Sequence, residues 1–241
     1  MPQQPLEHGH SREQIRARLA RGPQVSYLRD LVFGGIDGAV TTFAIVAGVV
    51  GADLSPRIVL ILGVANLLAD GFSMAAANYS STRTEVDEYA HLRAMEERHI
   101  EAVPDGEREE VRQILHAKGF QGSGLKQAVQ TITGDRDRWI DVMMAEEHGL
   151  QPVQRSPMKA AGATFAAFIL CGSVPLIPYV FGLEASIAAS TALTGITFFV
   201  IGSVRSRWSP LTWWRAGANT ATIGLAAAAV AYIVGNLLAR L

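Results

Sequence analysis

The chain has one cysteine, Cys171, among its 241 residues. That excludes an intramolecular disulfide and any Cys-x-x-Cys metal site. The thiol itself reads as a small apolar helix residue. Charge is missing from a long stretch: no Lys or Arg lies between Lys159 and Arg205, and Glu184 is the lone carboxylate there. Net charge is −1, and no basic patch interleaves with aromatics, so nucleic acid is not an expected partner. Gly-rich phosphate loops, nucleotide sites and hydrolase motifs are absent, which argues against a pump driven by ATP hydrolysis within this chain. There is no long repeat and no low-complexity tract. The opening "MPQQPLEHGHSREQIRARLARG" has no apolar core, so no secretory signal is expected. Its "REQIRARLARG" portion predicts a short basic helix, either solvated or lying on a membrane surface.

What the chain does have is apolar runs of membrane length. A spanning helix needs about 20 mostly apolar residues. Five candidates occur: Asp30–Gly51, Pro56 to about Ser81, Ala160–Phe181, Leu183–Val204 and Trp213–Leu238. Trp208, Trp213 and Trp214 form an interfacial belt at the start of the last. Too little polar sequence exists to cover five such helices in water. The expected fold is therefore an all-α integral membrane protein with five transmembrane helices. A three-helix insert, residues 82–156, separates helices two and three. It follows an arm over 1–29 and helices one and two over 30–81, and precedes helices three to five over 157–241. No breaker follows the second helix, so it should continue into the insert as far as Pro104. Basic residues set the orientation. Arg16, Arg18, Arg21 and Arg29 lie in the arm, and Arg205, Arg207 and Arg215 in the link between helices four and five. The insert is also rich in Arg and Lys, whereas the opposite loops carry only Arg57. The arm and insert should face the cytoplasm and the C-terminus the outside.

Ionisable residues within a span are costly and functional by default. Two are central. Asp37 sits in "FGGIDGAVTT", flanked by Gly34, Gly35 and Gly38, which permit close helix packing. Asp70 sits in "GVANLLADGFSMAAANYSS", where Asn66, Asp70, Met74 and Asn78 recur every four residues. That spacing stacks them on one helical face. Carboxylate, amide and thioether on facing helices suit a path for a transition metal. The plain alternative is hydrogen-bonded glue between helices, which applies most readily to Asn66 and Asn78. In the insert, Glu96 and His99, then Glu107 and Glu110, then Met143, Met144 and Glu147 place donor atoms on helical faces. Three converging faces would make a carboxylate-rich metal site, with donors that suit Fe(II), Mn(II) and Zn(II) alike. Solvated acidic faces are the ordinary reading of such pairs, and core packing that of at least one Met. Glu96 to His99 is also Glu-x-x-His, the spacing of ferritin-like di-iron sites. The chain has no second such motif, which counts against a soluble-type di-iron oxidase.

Together, "LRDLVFGGIDGAVTTFAIVAGV", "ANLLADGFSMAAANYSSTRTE" and the Glu-rich insert with "MMAEE" resemble the vacuolar iron transporter family, including its bacterial members. The resemblance covers about residues 26–240. It implies five membrane helices, a homodimer, and export of cytosolic Fe2+ in exchange for protons, with no prosthetic group. It implies that Asp37 and Met74 line a path at the dimer interface. It also implies that Glu96, Glu107, Glu110, Met143, Met144 and Glu147 form a metal-binding insert. Mn2+, Zn2+ and Co2+ fit the same donors. The chain departs from the family pattern twice. His99 stands where the family has Glu, and Asn66 where some members have Glu; Asp70, one turn on, would take over the latter role. A compact chain of bacterial type is expected in the plasma membrane. Two other readings are a membrane-anchored iron-binding or ferroxidase-like protein, whose insert carries the chemistry, and a metal sensor. An anchor has no need of buried carboxylates, and no signalling output domain is evident.

Overall fold

The computed structural model describes residues 9–22, 25–183 and 186–240. The first eight residues of the arm and Glu184 lie outside them. All regular structure among the described residues is helical. Helix α1 (Arg12–Arg21) starts at a reciprocal cap between Ser11 and Gln14 and buries no residue. Among the described residues, five helical segments are long and apolar enough to cross a membrane. They are α2 (Leu28–Gly51), the first part of α3 (Pro56–Ala102), a broken span over Pro157–Val180, α9 (Ser186–Arg205) with its 3-10 extension to Trp208, and α10 (Trp213–Leu238). Their outward faces carry Phe72, Leu170, Ile223 and Val230 in the open. Apolar surface on that scale belongs against hydrocarbon. The chain is an integral membrane protein.

Helix α2 is the hub of the bundle, packing on α3, α9, α10 and α7 (Pro157–Ser173). Its approach to α7 is close, and glycine makes it. A Cβ at Gly34 would collide with the carbonyl oxygen of Thr164, and one at Gly38 with that of Phe168. These two glycines lie one turn apart, so they mark one face of α2. The core between these helices is Phe43, Val46, Leu67, Phe168, Leu176 and Tyr179.

The third span differs from the single helix expected over 160–181. Helix α7 stops at Ser173, a 3-10 turn follows at Val174–Leu176, and α8 (Ile177–Val180) completes the crossing. Pro175 and Pro178 each lack the N–H that a continuous helix would use, which forces the break. Ser190 on α9 donates to the carbonyl of Pro175 at 2.8 Å, satisfying one group that the break leaves free.

Helix α3 runs unbroken for 47 residues, from Pro56 at its first turn into the insert. Pro104 then opens α4 (Pro104–Ala117), and α5 (Gly122–Thr133) and α6 (Arg136–Glu146) follow. The insert has its own core: Ile100, Val111, Leu115, Leu125, Trp139, Ile140, Met143 and Met144. Arg93 of α3 spans Asp137 and Asp141 of α6 at 3.0 and 3.1 Å, which fixes α6 along the end of α3.

Candidate metal site and ion path

In the insert, the end of α3 meets α4 and the C-terminus of α6, and their acidic residues converge there. Glu96 is 1% exposed and Glu107 4% exposed, although both are carboxylates. Neither has a Lys or Arg in ion-pair contact among the described residues. Glu107 Oε1 lies 3.5 Å from His99 Nδ1. Glu96 Oε1 lies 2.9 Å from Nε2 of His148, just past the end of α6. The other oxygen of each carboxylate, Glu96 Oε2 and Glu107 Oε2, is buried without a hydrogen-bond partner. Two sets of donor atoms lie within 4.8 Å of one another: Glu96, His99 and Glu107, and Glu96, Glu147 and His148. Burial pushes the Glu107 carboxyl up to about 7, helped by the negative charges of Glu110 and Glu96 and opposed by His99. Burial, then the charges of Glu96 and Glu110, likewise raise Glu147. Carboxylates that are buried, crowded and short of donors are what a divalent cation would relieve. Glu110 and Glu147 stay exposed at the rim. Met143 and Met144 sit in the apolar core beneath, 0% and 1% exposed.

In the bundle, the stripe on α3 faces α2. Asn66 donates to Thr41 Oγ1 at 3.3 Å, and Asn78 donates to Asp30 Oδ1 at 2.9 Å. The partners step along the two helices in opposite directions, as antiparallel neighbours must. Asp70, one turn beyond Asn66, therefore falls opposite Asp37, one turn before Thr41. The two carboxylates are near enough for their charges to act on each other. Met74 is half-buried and packs against the bundle core. Asp37 also lines a cavity of about 710 Å³ that runs back to Arg29, Asp30 and Asn78. Asp30 is 4% exposed and accepts from Arg155 at 2.6 Å. Asn78 donates in addition to Thr164 Oγ1 at 2.7 Å and to the Ala160 carbonyl at 3.2 Å. This knot joins the starts of α2 and α7 to α3 and to the segment leaving the insert.

Compared with known proteins, residues 28–236 match the sequence model of the VIT family. The chain belongs to that family. It is 32% identical over 213 residues to vacuolar iron transporter 1 of Arabidopsis thaliana, covering 87% of this chain and 85% of that protein. It is 33% identical over 208 residues to vacuolar iron transporter 1 of Eucalyptus grandis, covering 85% and 84%. A vacuolar iron transporter of Toxoplasma gondii is 36% identical over 224 residues, 88% of this chain and 74% of that one. The proteins so named are transporters rather than enzymes, and this member of the VIT family is not an enzyme.

The matched region of this VIT-family chain contains both the insert cluster and the α2–α3 stripe. Of the residues singled out from the sequence, Glu96, His99 and Glu107 come together directly. Glu147 joins Glu96 through a set that includes His148, which sequence spacing did not flag. His148 stands 52 positions from Glu96, beside a glycine that reads as a helix stop. Asp30 and Arg155, 125 positions apart, likewise read in the sequence only as a helix start and a linker residue. An acidic residue in the first turn of a membrane helix was the available signal for Asp30. Asn78 serves as the hydrogen-bonded glue its spacing allowed.

Proposed function

We propose that this protein exports Fe2+ from the cytosol in exchange for protons, through a path between α2 and α3 that includes Asp37, Asp70, Met74 and Asn66. The observation that carries this reading is the facing pair Asp37 and Asp70, two carboxylates without a Lys or Arg ion pair among the described residues, in the middle of apolar helices. The relatives named vacuolar iron transporter support iron as the cargo. Mn2+ is a second ion the same donors suit.

In this mechanism the insert faces the cytosol. Glu96, His99, Glu107, Glu110 and Glu147 capture the ion, with the thioethers of Met143 and Met144 as soft donors from below. Metal leaving the insert then displaces protons from Asp37 and Asp70. When the path opens to the far side, protons replace the metal. Asn66 and Met74 supply neutral donors, so the ion is held weakly enough to leave. We place the N-terminus with the insert in the cytosol and the C-terminus outside, with five transmembrane helices and two copies of the chain forming a homodimer around α2. We assign the plasma membrane to this chain; the relatives above are named for a vacuole.

The decisive experiment is Fe2+ flux in proteoliposomes under an imposed pH gradient, with wild type beside Asp37→Ala. Flux that requires the gradient and is lost in the variant is the expected result. Wild-type protein that binds Fe2+ yet shows no flux would overturn the transporter reading in favour of an anchored iron-binding protein. Asp70→Asn with full flux would remove Asp70 from the path.

A further inference from the structure

We infer that His148 is a direct metal ligand of the insert and a residue that biases it toward Fe2+, Co2+ and Zn2+ over Mn2+ and the hard cations Mg2+ and Ca2+. The inference rests on the insert being a metal site, and it adds a residue that neither helical spacing nor the family resemblance supplied.

Three observations support it. The first is position. Nε2 of His148 lies 2.9 Å from Glu96 Oε1, and its donor set with Glu96 and Glu147 closes within 4.8 Å. Two donors at right angles, each about 2.1 Å from one ion, are about 3.0 Å apart. The pair is thus already spaced as neighbouring ligands of a single ion. The second is need. One imidazole N–H can satisfy only one oxygen of Glu96, and Oε2 is buried with no partner. A cation at the mouth of the trio would give that buried oxygen the partner it lacks. The third is construction. His148 lies beyond α6, where the Leu150 N–H returns to the Met144 carbonyl at 2.9 Å and Gly149 takes φ +67°. That closure holds the ring inward, so its side chain is only 16% exposed.

The chemistry follows from the donor. Carboxylates alone suit Mg2+, Ca2+ and Mn2+. Imidazole nitrogen suits Fe2+, Co2+ and Zn2+ better, following the rise in affinity across the first row. A trio of two carboxylates and one imidazole therefore discriminates where an all-oxygen trio would not.

The test titrates the full chain in detergent with Co2+ and with Mn2+ at neutral pH, for wild type and His148→Gln. The expected result is that the Co2+ affinity falls at least about 10-fold relative to that for Mn2+, with the Co2+ ligand-field bands altered. An equal loss for both ions would reduce His148 to a residue that only positions Glu96, and would overturn the inference. Unchanged Co2+ affinity and spectrum would do so too. A wild type that binds neither ion overturns the insert's role itself, a distinguishable outcome. If His148→Gln unfolds the insert, X-ray absorption of Co2+-loaded His99→Gln decides. Imidazole scattering that persists there supports His148 as ligand, and its absence overturns it.

Discussion

The bundle and the insert each bury carboxylates, and they treat them in opposite ways. At the mouth of the bundle, Asp30 is held by the guanidinium of Arg155, a group that never gives up its charge, and by the amide of Asn78. In the insert, the ion-pair contacts of Glu96 and Glu107 among the described residues are imidazoles alone, and each carboxylate keeps an oxygen without a partner. A carboxylate locked to a permanent cation is a fastener. One paired with a group that can yield is open to an incoming ion. Asp37 and Asp70 fall with the insert in this respect, because no Lys or Arg pairs with either among the described residues.

The comparison can be broken most severely at the helix contact that supports it. Gly38→Leu drives a side chain into the backbone of α7, and a loss of more than about 3 kcal/mol is expected. It should be read as a collapse of the monodisperse peak of the purified protein in detergent. Arg155→Ala removes the cation from Asp30 and leaves a buried charge; about 3 kcal/mol of destabilisation is expected, visible in the thermal midpoint. If Asp30→Asn combined with Arg155→Ala restores part of that loss, the fastener description is sharpened. Glu107→Gln should behave in the reverse sense. Without metal it stabilises the insert by relieving burial and repulsion, while the stabilisation gained on adding Co2+ shrinks; paired melting curves with and without the ion show both.

The pH dependence separates the two regions further. Folding raises the Glu107 carboxyl from its ordinary 4.5 to about 7. Between those values the folded insert binds more protons than the unfolded chain, so its metal-free stability falls as pH rises through that window. Metal competes for the same oxygens, so Co2+ affinity should fall as pH drops below about 7. An affinity independent of pH between 6 and 8 would contradict the buried setting of Glu107. The smallest effect belongs to the exposed pairs. Arg83→Ala, which loses a solvent-facing partner in Asp87, should change stability by less than about 0.5 kcal/mol.

The apolar runs and the continuation of α3 past the membrane were legible in the sequence because both are local properties: hydropathy, and the absence of a breaker before Pro104. The break in the third span was not legible in the same way: Pro175 and Pro178 mark it, but the length of the apolar run masks them. The candidate sites were legible only as faces. Spacing put Glu96 with His99 and Glu107 with Glu110, yet burial separated their roles, leaving Glu107 enclosed and Glu110 at the rim. His148 and Arg155 could not be found this way, because what defines each is a partner brought near by the fold.

One feature of α3 reaches beyond packing. Asp70 and Glu96 belong to the same unbroken helix. At 1.5 Å per residue, the 26 positions between them set the two carboxylates about 40 Å apart along one rod. Rocking that rod by about 10° about its membrane half would sweep Glu96 through roughly 7 Å, the kind of motion alternating access uses. The insert would then act as a pointer, whose swing magnifies small tilts of the apolar half of α3. In the homodimer proposed above, a pair of fluorescent labels on the two inserts would read that tilt directly.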